Sequence, residues 1–163
     1  MKRVFALWAG SVLVHGWCAA AQVTNVYASC AVTTNLPYYG EAALQQADDY
    51  QKDQCRLDLR YPTNRTGFAT VVWFHGGGLT VGKRHFIDLQ TPDIAIAAVS
   101  YRLSPKGQLP CFLEDAAAAT AWVIRNINQY GGDSNKVFVS GHSAGGYLTA
   151  MIGMDPKWLA TQG

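Results

Sequence analysis

Three stretches of this sequence carry near-continuous apolar runs, and no other feature narrows the fold so far. They are "FATVVWF" at residues 68–74, "DIAIAAVSY" at 93–101 and "NKVFVS" at 135–140. A strand with one face in water alternates apolar and polar side chains. A strand buried on both faces need not, and such strands belong to parallel sheets. Parallel neighbours cannot be joined by a tight turn and need a crossover. Residues 109–132, "LPCFLEDAAAATAWVIRNINQYGG", supply one, with Leu113, Ala117, Thr120, Ile124 and Ile127 recurring at three- and four-residue steps. Glu114 and Asp115 suit the positive N-terminal end of that helix, and Gly131 and Gly132 offer a left-handed stop. Strands alternating with such a helix predict an α/β fold, a mostly parallel sheet with right-handed crossover helices.

The rest of the chain is less informative. Residues 55–61, "CRLDLRY", alternate as a strand covered on one side should, and residues 62–67, "PTNRTG", read as a turn. The sequon Asn64-Arg65-Thr66 within that turn is read as a polar loop. A short helix is expected over residues 41–49, and the remainder of residues 23–53 suggests no element. With 49% hydrophobic and 15% charged residues in 163, the chain suits one globular domain.

The N-terminus stands apart. Lys2 and Arg3 precede an apolar run, residues 4–14, and small residues end at Ala19-Ala20-Ala21. This is the three-part pattern of an export signal, so residues 1–21 are expected to be a signal peptide and residues 22–163 the folded portion. The run is too short to span a bilayer, which takes about 20 residues, and no stable membrane partner is expected. Export implies a periplasmic or extracellular destination. Without Lys2 and Arg3, the 13 basic and 11 acidic residues come into balance, which leaves no basic field for nucleic acid. Cys30, Cys55 and Cys111 would then be an odd set that cannot pair fully within the chain, and their spacing fits no metal pattern. No metal and no cofactor is expected.

Two glycine-rich motifs carry the chemistry. "GHSAG", Gly141 to Gly145, matches G-x-S-x-G and stands between an apolar strand and a helix-like run at residues 147–151. That is the setting of a nucleophile elbow, in which a sharp turn exposes a serine hydroxyl at a helix N-terminus. Ser143 is therefore the candidate nucleophile. A side chain at Gly141 or Gly145 would crowd neighbouring backbone in so tight a bend. "HGGG", His75 to Gly78, follows the strand of residues 68–74. Three glycines in a row cost chain entropy, and what they offer is bare amides that a substrate can approach, as an oxyanion hole requires.

Taken together these motifs resemble the α/β-hydrolases of the HGGG carboxylesterase/lipase group, and more narrowly bacterial secreted feruloyl or acetyl-xylan esterase-like proteins. Similarity runs from about residue 53 to residue 146 and includes "YRLSP" at 101–105 and "LED" at 113–115. The resemblance implies an α/β-hydrolase fold and a serine carboxylic-ester hydrolase working through an acyl-enzyme on Ser143. It implies an oxyanion hole of the Gly76, Gly77 and Ala144 amides, with His75, Gly78, Gly141 and Gly145 supporting the motifs. Arg102 and the acidic pair at the helix start are implied to be structural. The substrate implied is a small-molecule or polysaccharide-linked ester; the oligomeric state is left open.

A serine hydroxyl needs a base. In this fold the acid and then the histidine follow the serine, yet after Ser143 the sequence holds only Asp155 as a carboxylate and no histidine. His15, His75, His85 and His142 all precede it, and His85 is the one without another assignment. The chain is therefore expected to be the N-terminal part of a longer hydrolase, cut after the elbow helix, and alone to be nearly inactive and poorly folded, since half a parallel sheet would expose a long apolar edge. A small-molecule amidase or formamidase, a prolyl-oligopeptidase-type peptidase, and a non-catalytic binding module on the same fold remain alternatives.

Overall fold

The computed structural model describes residues 26–163, so the expected signal segment, with His15 and Cys18, lies outside them. Strand β1 (Cys30–Pro37) leads through two short helices, α1 (Glu41–Gln46) and α2 (Asp49–Gln54), into β2 (Arg56–Pro62). Then come β3 (Phe68–Phe74), β4 (Ala95–Val99), helix α3 (Cys111–Asn126), a 3-10 turn (Ile127–Tyr130) and β5 (Gly132–Gly141). Helices α4 (Ala144–Met154) and α5 (Lys157–Ala160) close the described chain. The helix expected over residues 41–49 is two helices, because Asp48 turns its carboxylate onto the Gln51 amide at 2.7 Å and starts α2 afresh.

The sheet among the described residues runs β1-β2-β4-β3-β5. It is mixed. β3 pairs in parallel with β4 and with β5, while β1–β2 and β2–β4 are antiparallel. The expectation of a mostly parallel sheet thus holds for the β4-β3-β5 half. The other half follows the alternation in β2, where Leu57 and Leu59 are fully buried and their neighbours are half-exposed, the pattern of an antiparallel strand wetted on one side. β1 drew no sequence prediction, since its polar "TTN" carries little strand signal.

Helix α3 is the crossover between β4 and β5. It lies over β3, β4 and β5, with α4 beside it on β3 and β5. Its alanines, Ala116 to Ala119, are all buried, and their small side chains bring the helix close to the sheet. Leu113, Ala117, Thr120 and Ile127 point inward as expected, but Ile124 is 40% exposed. Gly131 provides the stop, in the left-handed conformation at φ 91°.

Burial across the sheet is uneven. β4 is buried on both faces, whereas β3 alternates: Phe68, Thr70, Val72 and Phe74 are covered and Ala69, Val71 and Trp73 half-exposed. β5, whose register puts Phe138 beside Val71, leaves Phe138 59% exposed. Among the described residues the double-sided burial expected of all three strands is therefore met only in β4, because there α3 and α4 cover one face of the β3–β5 half. Cys55 and Cys111 are buried, Cys30 is half-buried, and all three are free thiols.

Candidate active site

The site arises from strand register. β3 and β5 are adjacent and parallel, with Phe74 level with Gly141. Their C-terminal ends therefore deliver the HGGG loop and the G-x-S-x-G turn to one sheet edge, where open α/β sheets place their chemistry. All eight residues singled out in the sequence lie here.

The turn is as tight as its glycines imply. A Cβ at Gly145 would fall 2.0 Å from the Phe74 carbonyl oxygen, and one at Gly141 would fall 2.4 Å from the Gly145 carbonyl. Either substitution drives atoms into backbone, so helix, turn and strand can meet only through these glycines. Ser143 sits between them at φ 53°, ψ −113°. That is a positive φ on a residue with a side chain, outside the left-handed helical basin, and it costs of order 1–3 kcal/mol. Surrounding hydrogen bonds hold it: the His142 amide donates to the Phe74 carbonyl (3.2 Å), that of Gly145 to His142 (2.9 Å), and that of Tyr147 to Ser143 (3.1 Å). The serine is exposed at the N-terminus of α4, and Ala144 opens the helix ahead of its internal hydrogen-bond ladder.

The glycine loop abuts the turn. A Cβ on Gly76 would lie 3.3 Å from the Ser143 Cβ and 2.8 Å from the His142 Nδ1. Gly77 has φ 114°, and a Cβ there would fall 2.0 Å from the Val81 carbonyl oxygen. Gly78 has a positive φ, and a Cβ there would meet only the Thr80 Oγ1, at 3.8 Å. The amides of Gly76 and Gly77 make no hydrogen bond among the described residues.

His75 is 2% exposed, and its Nδ1–H donates to the Gly76 carbonyl at 2.7 Å. Its ring stacks on Tyr101 with centroids 4.4 Å apart and planes 12° from parallel. Burial pulls its pKa below the ordinary 6.5 against the opposing Gly76 hydrogen bond, and nearby His85 lowers it further. The ring is neutral at pH 7, with a buried Nε2 that has no partner among the described residues. Its Nδ1 is committed to the loop. His85 is exposed, with Nδ1 3.2 Å from the Lys83 carbonyl oxygen and its ring edge-on to Trp73. His142 is exposed beside Ser143. None of the hydrogen bonds among the described residues joins the Ser143 hydroxyl to a histidine.

Arg102 and Asp115 occupy a different place. Asp115 is completely buried and accepts from the Arg102 amide (2.8 Å), Nε (2.9 Å) and Nη2 (2.7 Å) and from the Tyr39 hydroxyl (2.7 Å). This ties the chain after β4 to the start of α3. A cleft of about 640 Å³ lies beside it, lined by Tyr39, Arg102, Glu114 and Trp158 among others, and Ser143 is not part of it. Among the described residues no cluster of His, Cys, Asp and Glu side chains is placed to hold a metal ion, and no helix is long and apolar enough to cross a membrane.

Sequence reasoning missed two contributors. Gly82, at φ 113°, lets the loop return so closely that a Cβ would fall 2.5 Å from the His75 Nδ1. Tyr101 appeared only as a letter in "YRLSP", and nothing local distinguishes it from a core tyrosine.

With this geometry in place, a family model decides the relationship: the BD-FAE model matches residues 57–159, well over half of the chain. The chain belongs to the BD-FAE family. Among curated proteins, it is 37% identical over 105 residues to the probable isoprenylcysteine alpha-carbonyl methylesterase ICMEL1 of Oryza sativa subsp. japonica, covering 58% of this chain and 24% of that protein. It is 37% identical over 91 residues to esterase LipI of Mycobacterium tuberculosis, covering 50% of this chain and 28% of that one. Among solved structures, esterase B from Lactobacillus rhamnosis superposes with a TM-score of 0.65 at 27% identity, over 84% of this chain and 44% of that one. A truncated carbohydrate esterase from gut microbiota gives 0.64 at 20% identity, over 80% and 45%, a likeness of fold. The chain thus spans about a quarter of the length of these curated relatives and under half of these solved chains. The fold is that of the α/β-hydrolase esterases, and the BD-FAE match covers the HGGG loop and the serine turn alike.

Proposed function

We propose that this BD-FAE chain carries the nucleophile and oxyanion machinery of a serine carboxylic-ester hydrolase. Ser143 attacks the ester carbonyl, and the alcohol leaves on collapse of the tetrahedral intermediate. Water then releases the acid from the acyl-serine. The amides of Gly76, Gly77 and Ala144 face the developing negative oxygen, and the N-terminus of α4 favours it. The observation that carries the reading is an exposed serine at φ 53° with Gly76 packed against it. Strain kept at a serine, and glycines kept where only glycine fits, also speak against a binding module that has shed its chemistry. Relatives named esterase LipI and carboxylesterase NlhH support ester over amide substrates.

The reading requires a base, and the histidines at 75, 85 and 142 do not engage Ser143. On this proposal the carboxylate and histidine of the relay stand later in the reading frame than Gly163. Export through residues 1–21, and an extracellular or periplasmic ester such as an acyl group on a polysaccharide, belong to the same proposal.

The test uses the full translation product of the reading frame that encodes this chain. A fluorophosphonate probe should label it at Ser143, and it should turn over p-nitrophenyl acetate. Ser143→Ala should abolish labelling and lower turnover by about 10⁴-fold or more. Unchanged turnover in Ser143→Ala would remove the nucleophile assignment.

A further inference from the structure

We propose that Tyr101 is a positioning residue for the oxyanion hole: its hydroxyl and ring together set both peptide planes whose amides face the reacting oxygen. This rests on the esterase reading above and adds a residue to it.

β4 runs parallel to β3 with Val99 level with Phe74, so the residues that follow the two strands, Ser100 and Tyr101 after β4 and His75 and Gly76 after β3, leave the sheet at the same end. Tyr101 is completely buried, and its own carbonyl accepts from the Gln54 Nε2 at 3.0 Å, which anchors its backbone. From there its hydroxyl donates to the His75 carbonyl at 2.6 Å. In a trans peptide the C=O and the next N–H point in opposite directions. Gripping the His75 oxygen therefore turns the Gly76 N–H to the side away from Tyr101.

The next plane is set at one remove. The Gly76 carbonyl accepts from the His75 Nδ1 at 2.7 Å, which turns the Gly77 N–H away from that ring. The His75 ring is held face to face by the Tyr101 ring at 4.4 Å. One side chain thus governs two successive peptides, one through its hydroxyl and one through the imidazole stacked on it. Those two planes share the Gly76 Cα, which lies against Ser143. Glycine places no side-chain restraint on either plane, so without such clamps the amides would be free to turn. Burial raises the phenol to about 12, so it remains an O–H donor throughout the working pH range.

The experiment compares two buried tyrosines in the full translation product. Tyr38 also buries its ring and donates to a backbone carbonyl, that of Ser100 at 2.9 Å, without touching the glycine loop. Tyr101→Phe should lower kcat for p-nitrophenyl acetate by about tenfold to a hundredfold, with KM within about twofold. Affinity for a trifluoromethyl ketone, which adds to the serine and places an oxyanion in the hole, should fall in parallel with kcat. Tyr38→Phe should lower Tm to a similar degree and leave kcat within about twofold. Equal kcat in Tyr101→Phe and wild type, or equal losses in both variants, would overturn the proposal. A second readout does not depend on catalysis. With [15N]glycine labelling, the amides of Gly76 and Gly77 should become more mobile in Tyr101→Phe, while Gly131 and Gly153 stay as they are. Unmoved loop glycines in a folded variant would overturn the inference. A wild-type protein that fails to label at Ser143 would instead overturn the esterase reading, whatever the glycine amides do.

Discussion

Ser143 is the most informative residue in the chain because it occupies a backbone conformation that its side chain disfavours. At φ 53° a glycine would sit with less strain, yet the position holds a hydroxyl. Ser143→Gly should therefore stabilise the fold by about 1 kcal/mol in urea denaturation, while Ser143→Ala, which keeps the Cβ, should not. A destabilised glycine variant would show that the turn is not under strain. The neighbouring glycines were legible for a related reason. A Cβ at Gly141, Gly145 or Gly77 meets backbone, and such positions admit one residue type whatever surrounds them. His75 was legible only as a member of its motif. That it is neutral, Nδ1-protonated and stacked follows from where Tyr101 lies, and no spacing along the chain reports that.

Among the elements, α3 shows how far periodicity reaches. Its inward positions were readable at three- and four-residue steps, but alanines on several faces are buried too, since the helix packs against the sheet on one side and α4 on another. Ile124 fits the same periodicity and still reaches solvent at 40% exposure, so a shared helix face does not by itself guarantee cover near the end of the helix. Asp115 looked like a dipole-compensating acid at the helix start. The fold puts it to heavier use, as a fully buried carboxylate accepting from Arg102 and Tyr39. Asp115→Asn should cost about 3–5 kcal/mol, since it removes the buried charge paired with the Arg102 guanidinium and leaves it only the half-exposed Glu114 at 3.6 Å. Chemical denaturation measures this, and a loss below about 1 kcal/mol would mean that the pair is not what joins β4 to α3. Burial, and then the charge of Asp115, raises the Tyr39 hydroxyl, which keeps it a donor in this cluster.

At the scale of the molecule, the described residues give the sheet two unlike faces on its β3–β5 side. Val72 is fully buried under the helices, while Phe138, level with Val71 in the neighbouring strand, is 59% exposed on the opposite face. In the 163-residue chain, Phe138→Lys should change stability by less than about 0.5 kcal/mol. Val72→Lys should unfold the chain, since it buries an unpaired charge. Circular dichroism melts of the two variants check this, and comparable losses would mean that both faces are core. The alternation that makes the difference was not visible in "FATVVWF", where every residue but Thr70 is apolar. An apolar run shows that a strand can be buried on both faces, not that helices are present to cover both.

What the sequence by itself determined is local: a strand that must turn sharply, a serine at the bend, glycines where no Cβ fits, and a helix long enough to cross between parallel strands. Those depend on steric rules acting over a few residues, which any reader of the chain can apply. The tertiary structure alone decided the antiparallel half of the sheet, which face of β3 and β5 the helices α3 and α4 cover, and the union of Tyr101, His75 and Gly76 beside Ser143. Each of these depends on the register between strands distant in sequence, and register is chosen by the packing of the whole core rather than by any one segment.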